Sequence, residues 1–262
     1  MSQFKAVFCD IDHTLTIPNT RIIPESTKRA LAQARENGYL VFVATGRNLT
    51  GKPVEFLDTL SFDGYVTVNG QLCYLPDGTV LRKVAFDPQD VHTFLDVSER
   101  YGFHANYHEQ FESYLSGVDE GVDAFYAFFK GTPPKIRSRE AFNFSEILSM
   151  IAFFGEEMDT LLQKKLPHFQ FLRWNPFSCD IVPRSGGKDV GIQAMLDHFG
   201  LEMKDCIAIG DGGNDVSMIR SAGLGVAVGG ALDEVKQAAD YIAPAVEDDA
   251  IAHVFRKFGL IS

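Results

Sequence analysis

Cysteine is scarce in this 262-residue chain, and its four copies, Cys9, Cys73, Cys179 and Cys206, are far apart with no Cys-x-x-Cys pair. That spacing excludes a small disulfide-stapled scaffold and a cysteine zinc site. Dispersed thiols of this kind are expected to stay reduced, in the cytoplasm. Long apolar runs are also missing: no window approaches the ~18 uncharged apolar residues of a membrane-spanning helix. The opening stretch, MSQFKAVFCDIDHTL, lacks the basic segment, long apolar run and cleavage site of a secretion signal. Positive charge is in deficit. The chain has 24 Lys and Arg against 35 Asp and Glu, for a net charge of −11. Non-specific polynucleotide binding needs clustered cations and is excluded on that ground. A small anion held by a few local cations is not.

What is present suits a globular protein: 45% hydrophobic and 23% charged residues, with no internal repeat and no low-complexity linker. At about 150 residues per domain, the length allows one large domain or two modest ones. The first 84 residues alternate strands and helices. Phe4–Cys9 is a short apolar strand running into Asp10. Pro24–Asn37 reads as a helix, with Pro24 near its first turn and Gly38 as its stop. Tyr39–Ala44 is a near-continuous apolar run, as a strand buried on both faces requires. Asp63–Val68 reads as another strand, and Leu72–Val84 as a hairpin around Asp77-Gly78.

The alternation resumes after about residue 186. Asp189–Phe199 is helical by its spacing of Ile192, Met195, Leu196 and Phe199. Strands at Cys206–Ile209, Leu224–Val228 and Tyr241–Ala243 alternate with helices at Asn214–Ser221, Ala231–Ala239 and around Ile251–Phe258. Repeated β–α–β units predict an α/β fold, a doubly wound parallel sheet with helices on both faces. The middle differs: residues 85–184 hold 19 of the 31 aromatic residues. Helical stretches near 87–101 and 156–166 alternate there with aromatic strand-like runs. An inserted α+β domain over 85–184 is expected, interrupting a discontinuous core of 1–84 and 185–262. Period-2 alternation puts Phe169, Phe171 and Arg173 on one strand face and Gln170, Leu172 and Trp174 on the other. Most of these aromatics are therefore assigned to a thin core, with a stacking surface for a sugar face or flat ring as the competing use. The insertion has nine basic and fifteen acidic residues, which favours a small substrate over a polynucleotide.

Four segments carry chemistry: Asp10-Ile11-Asp12-His13-Thr14, Thr45-Gly46-Arg47, Lys188, and Gly210-Asp211-Gly212-Gly213-Asn214-Asp215. Ligands of open α/β sheets sit beyond the C-terminal strand ends. Three of the segments follow predicted strands and should converge there; Lys188 joins them by inference. Asp10, Asp12, Asp211 and Asp215 offer hard oxygen ligands that suit Mg²⁺ better than zinc. Thr45, Lys188 and the glycine-loop amides suit a phosphate. A carboxylate can attack phosphorus to form an acyl-phosphate. Asp12, two residues on, is placed to protonate the leaving oxygen and then deprotonate water. Each segment alone has a plainer explanation as a turn, a cap or a surface charge; their conjunction in this order does not.

In this order the four segments resemble the motifs of the haloacid dehalogenase-like superfamily. Val68-Asn69-Gly70, the insertion after the hairpin, Ile181-Val182-Pro183 before Lys188, and the ending GVAVGGALDEVKQAADYIAPAVEDDAI resemble its Cof-type branch with a C2B-type cap. The resemblance implies a Rossmann-like core and a Mg²⁺-dependent phosphatase of small phosphorylated metabolites, sugar phosphates or flavin mononucleotide among them. It implies Asp10 as nucleophile and Asp12 as general acid/base. Thr45 with the Gly46 amide would bind the phosphoryl group, Lys188 would neutralise it, and Asn214 would hold phosphate or position Lys188. Mg²⁺ would be held by Asp10, the Asp12 backbone carbonyl and Asp211, with Asp215 acting through water. Arg47 would face the substrate. The insertion would act as a cap that excludes water.

No nucleic acid and no membrane is implied as a partner, and monomer and dimer are both compatible with the reading. A phosphomutase of the same superfamily, a receiver-like phospho-switch and a silent binding protein are the alternatives. Two positions depart from the family pattern. His13 stands where glycine is usual, and is expected to be a partly buried structural imidazole. Gly229-Gly230-Ala231 replaces Gly-Asn-Ala.

Overall fold

The computed structural model describes residues 3–50, 55–128 and 131–262; the side chains at 55, 174 and 175 are outside that description, and with them the strand-face expectation for Trp174. The chain forms two compact units, Met1–Arg82 with Gly187–Ser262, and Lys83–Gly186. In chain order the first unit supplies β1 (Ala6–Cys9), α1 (Glu25–Glu36), β2 (Leu40–Ala44), β3 (Gly64–Thr67), β4 (Leu72–Tyr74) and β5 (Val80–Lys83, its last residue across the division). The second holds α2 (Pro88–Tyr101), β6 (Ala105–His108), β7 (Ser113–Leu115), α3 (Glu120–Phe128), β8 (Ser149–Ala152), α4 (Asp159–Lys165), β9 (Phe169–Asn175) and β10 (Ser178–Pro183). The first unit then closes with α5 (Lys188–Phe199), β11 (Cys206–Gly210), α6 (Val216–Ser221), β12 (Leu224–Ala227), α7 (Asp233–Ala238), β13 (Tyr241–Ile242) and α8 (Ala250–Lys257).

The first unit is built on one sheet of order β13-β12-β11-β1-β2-β3-β4-β5. Its strands from β13 to β3 run parallel, and β4 returns antiparallel to β3. This is the expected α/β fold. Central strands of such a sheet are covered on both faces, which is why AVFC and LVFVA are nearly continuous apolar runs. Every residue of β1 is fully buried. Phe8 of β1 stacks on Phe42 of β2 with ring centroids 4.6 Å apart. α5 ends where Gly200 turns left-handed.

The second unit is an antiparallel sheet of order β7-β6-β8-β10-β9 with the helices α2, α3 and α4. α2 starts on an Asp87 side chain that accepts from the Gln89 amide at 2.8 Å, with Pro88 at its first position, and stops at left-handed Gly102. Fifteen of the 17 described aromatic residues here belong to or pack against its two core clusters. Phe111 and Phe128 are the exposed pair. Phe169 is buried, Phe171 packs on the same cluster, and the Arg173 guanidinium lies over Phe154 at 5.2 Å. The alternation read from the sequence thus resolves the aromatic excess in favour of the core.

Three local readings change. α3 is not among the expected elements: Val122, Phe125 and Tyr126 of its EGVDAFYAF sequence have helical spacing and meet one core cluster, but they lie within an aromatic run that also suits a strand. The predicted helix 214–221 opens with a 3-10 turn, Gly213–Asp215, and the stretch 156–166 likewise opens with Glu156–Met158. Among the described residues, no helix is long and apolar enough to cross a membrane.

Candidate active site

Parallel register fixes where the chemistry emerges. Cys9 of β1 pairs with Val43 of β2 and with Ile209 of β11. Asp10, Thr45 and Asp211 therefore leave the sheet side by side at its C-terminal edge, the usual ligand edge of such sheets. Lys188 reaches the same place from the first position of α5. Its side chain is fully buried, with Nζ 2.6 Å from Asp10 Oδ1 and 2.5 Å from Asp215 Oδ1. Lys188 thus meets Asp10 across 178 residues of sequence.

Asp215 does more than cap a helix. Its Oδ2 accepts from the backbone amides of Asp211 at 2.9 Å and Gly212 at 3.0 Å, while its Oδ1 faces Lys188. The glycine-rich loop is thereby folded around a buried carboxylate. Gly210 is needed for that approach, since a Cβ there would lie 2.5 Å from the Asp215 carboxylate carbon. Thr14 Oγ1 donates to Asp211 Oδ1 at 2.9 Å and links the first loop to the last. The sequence reading assigned Thr14 no role.

The electrostatics follow from burial. Desolvation holds the Asp10 carboxyl well above the ordinary range; Lys188 opposes that shift, and Asp215, Asp211 and Asp12 add to it. Asp211 is pushed up to about 7 by burial and by the Asp215 charge. Burial pulls the Lys188 ammonium down, but the charges and hydrogen bonds of Asp10 and Asp215 more than reverse it, so it stays protonated. One buried cation thus faces several carboxylates. Ligand oxygens of Asp10, Asp211 and Asp215 lie within 4.8 Å of one another. An all-oxygen cluster with excess negative charge fits a hard divalent cation.

Asp12 and Arg47 form a second feature. Arg47 donates to both Asp12 oxygens, from Nε at 2.7 Å and from the outer nitrogen at 2.6 Å, and its guanidinium lies 5.6 Å from the Phe56 ring centre. The hydrogen bond to Asp12 raises the Arg47 pKa further, against its burial. Arg47, expected to face the substrate, is engaged with Asp12 in this structure. Thr45 is buried, and its Oγ1 accepts from the Arg47 amide at 3.1 Å. Gly46 sits half-buried between them. Asn214 Nδ2 donates to Asn69 Oδ1 at 2.9 Å. Asn69 was legible only as part of the Val68-Asn69-Gly70 family pattern, not as a partner of the glycine-rich loop. His13 corrects an expectation: its side chain is 49% exposed, with Nδ1 3.7 Å from Asp211 Oδ2. Its backbone is left-handed at φ 57°, a conformation glycine adopts freely, so the usual glycine has a local reason.

Comparison with known proteins agrees with this architecture. BT1666 from Bacteroides thetaiotaomicron, described among phosphatases of the haloalkanoate (HAD) enzyme superfamily, superposes with a TM-score of 0.93 at 27% identity, covering 98% of this chain and 96% of that one. The HAD subclass IIB sugar phosphatase BT4131 superposes with a TM-score of 0.88 at 33% identity, over 98% of this chain and 100% of that one. The Bacillus subtilis protein YkrA is 29% identical over 273 residues, covering 98% of each chain. The model of the haloacid dehalogenase-like hydrolases matches residues 7–255, and the chain belongs to that family.

Proposed function

We propose that the protein is a Mg²⁺-dependent phosphatase of small phosphorylated metabolites, with sugar phosphates and flavin mononucleotide-like esters as the substrate class, acting through an aspartyl-phosphate on Asp10. The observation that carries this reading is the buried Lys188 ammonium 2.6 Å from Asp10, with Asp211 and Asp215 beside it. Similarity to a sugar phosphatase over nearly the whole chain supports it. Residues 83–186 are the family's inserted cap domain in this reading.

Each residue has a role that its position supports. Lys188 draws the phosphoryl group toward Asp10 by charge and holds the Asp10 carboxylate in line. An Asp10 oxygen attacks phosphorus, the bond to the ester oxygen breaks, and Asp12 gives that oxygen its proton. Asp12 then takes a proton from the water that attacks phosphorus, releasing phosphate and restoring Asp10. Thr45, the Gly46 amide and Asn214 donate to the phosphoryl oxygens, which carry the developing charge. Asp10, the Asp12 backbone carbonyl and Asp211 would hold Mg²⁺, with Asp215 supporting through water. When bound, the ion neutralises charge between the carboxylate and the phosphoryl group. For Asp12 to act, Arg47 must release at least one of its oxygens. The pair is nearly half exposed, so its opening costs only about 0.2–1 kcal/mol, and Arg47 is then free to face the substrate.

The test is release of phosphate from p-nitrophenyl phosphate. Turnover is expected with Mg²⁺ and is expected to fall about 10⁴-fold or more in Asp10→Asn. Retained turnover in that variant would remove Asp10 as the nucleophile.

A further inference from the structure

Three consecutive residues between β3 and β4 have left-handed backbones: Val68 at φ 54°, Asn69 at 51° and Gly70 at 87°. For a β-branched residue such as Val68 this is a true outlier. Each non-glycine residue so placed costs about 1–2 kcal/mol. All three are buried. Such strain persists only where surrounding structure over-determines it, and it clusters at functional sites.

The contacts that hold the turn go to three of the four chemical loops. The Val68 amide donates to the Arg47 carbonyl at 3.1 Å, and the Asn69 amide to the Thr45 carbonyl at 3.1 Å. The Asn69 side-chain oxygen accepts from Asn214 Nδ2 at 2.9 Å. Gly70 lies against the start of α5, where a Cβ on Gly70 would sit 2.0 Å from the Gly187 carbonyl oxygen, one residue before Lys188. On the far side, Arg82 Nε donates to the Gly70 carbonyl at 3.0 Å.

From this convergence we infer that Val68–Asn69–Gly70 is the positioning element of the phosphoryl site, and that Asn69 orients the Asn214 carboxamide for its phosphate bond. A carboxamide nitrogen has two donor hydrogens. Asn69 takes one and so fixes which end of Asn214 faces the anion and where the second hydrogen points. The backbone of the same turn holds the carbonyls of Thr45 and Arg47, so the donors of two loops share one rigid reference. Asn69 need not touch the substrate. It acts through Asn214, and an error of about 1 Å in such a donor can cost up to about 10²-fold in rate.

This inference rests on the reading of Asn214 as a phosphoryl donor, and the experiment separates the two. The probe is inorganic phosphate as a competitive inhibitor of p-nitrophenyl phosphate turnover, in wild type, Asn214→Ala, Asn69→Gly and the double variant. Glycine keeps the left-handed turn and removes the carboxamide that accepts from Asn214. Each single variant is expected to weaken inhibition about tenfold, and the double variant to lose no more than Asn214→Ala alone, as residues acting through one contact do. Unchanged inhibition in Asn69→Gly, with Asn214→Ala impaired, overturns the inference alone. So does a double variant whose two losses multiply. Unchanged inhibition in Asn214→Ala overturns the reading beneath it, and the inference with it. Should Asn69→Gly fail to fold, NMR of the wild-type Asn214 side-chain amide, assigned by its loss in Asn214→Ala, reads the same contact. Slow hydrogen exchange without phosphate and a shift on adding it are expected; fast exchange overturns the inference.

Discussion

Both units of this protein bury large residues, but they bury different chemistry. In the first unit the parallel sheet is an apolar platform whose C-terminal edge carries a buried lysine and buried carboxylates, compensated by one another. In the second, the antiparallel sheet encloses aromatic clusters, and several of its charges pair toward the surface. Arg137 meets Glu112 and Glu109, and Arg139 meets Asp96. Buried ion pairs are poor stabilisers relative to apolar packing. Their presence at one edge of one sheet marks where stability gives way to function, and the aromatic unit shows what the same chain does where packing alone decides.

Three substitutions or conditions would break or sharpen that contrast. The largest effect is expected from Lys188→Met. Removing the buried Lys188 cation leaves Asp10 and Asp215 facing each other, and turnover should fall about 10²–10³-fold. The metal-free protein should also lose about 3 kcal/mol, read by denaturant unfolding. A variant as stable as wild type would show that the ion cluster is not compensated as described.

Phe94→Ala should act on the other side of the contrast. Phe94 is fully buried and its ring packs at 5.8–6.2 Å from Phe103, Tyr107 and Phe169. The truncation should cost about 3–5 kcal/mol. Hydrogen exchange should place the loss in β6–β10, with β1, β2 and β11 still protected. Equal loss in both sheets would deny that each sheet has its own core.

The smallest effect is one of pH. The folded-state pKa of Asp211 is raised from its ordinary value to about 7, so between about pH 4 and 7 the folded state holds a proton that the unfolded state has released. This group therefore supports stability at low pH and withdraws that support as pH rises to about 7. A divalent cation binds the deprotonated form. The rise in melting temperature on adding Mg²⁺ should accordingly be larger at pH 8 than at pH 5; an equal rise at both would count against Asp211 as a ligand.

How much of this was legible in the sequence varies by residue. LVFVA announces a strand covered on both faces, and Asp10, Thr45 and Asp211 each follow such a run, so their meeting follows from parallel topology. Phe169, Phe171 and Arg173 show their shared face through period-2 spacing. Other features depend on contacts that no local pattern encodes. The burial of Lys188 against Asp10 and Asp215 needs the whole crossover through α5. The Asp12–Arg47 fork depends on side-chain rotamers. α3 hides because its own residues are largely aromatic and a glycine stands in its first turn. Asn69 reads only as part of the Val68-Asn69-Gly70 pattern until Asn214 comes into contact with it.

The account depends on a covalent bond between Asp10 and phosphorus, and borohydride tests it directly. An acyl-phosphate is an activated carboxyl group, which borohydride reduces to an alcohol. Enzyme turning over p-nitrophenyl phosphate with Mg²⁺ should, after the quench and proteolysis, yield a peptide with homoserine at position 10 by mass spectrometry. Aspartate intact at position 10 in an enzyme quenched during rapid turnover, with the reduced residue found elsewhere, would contradict the account.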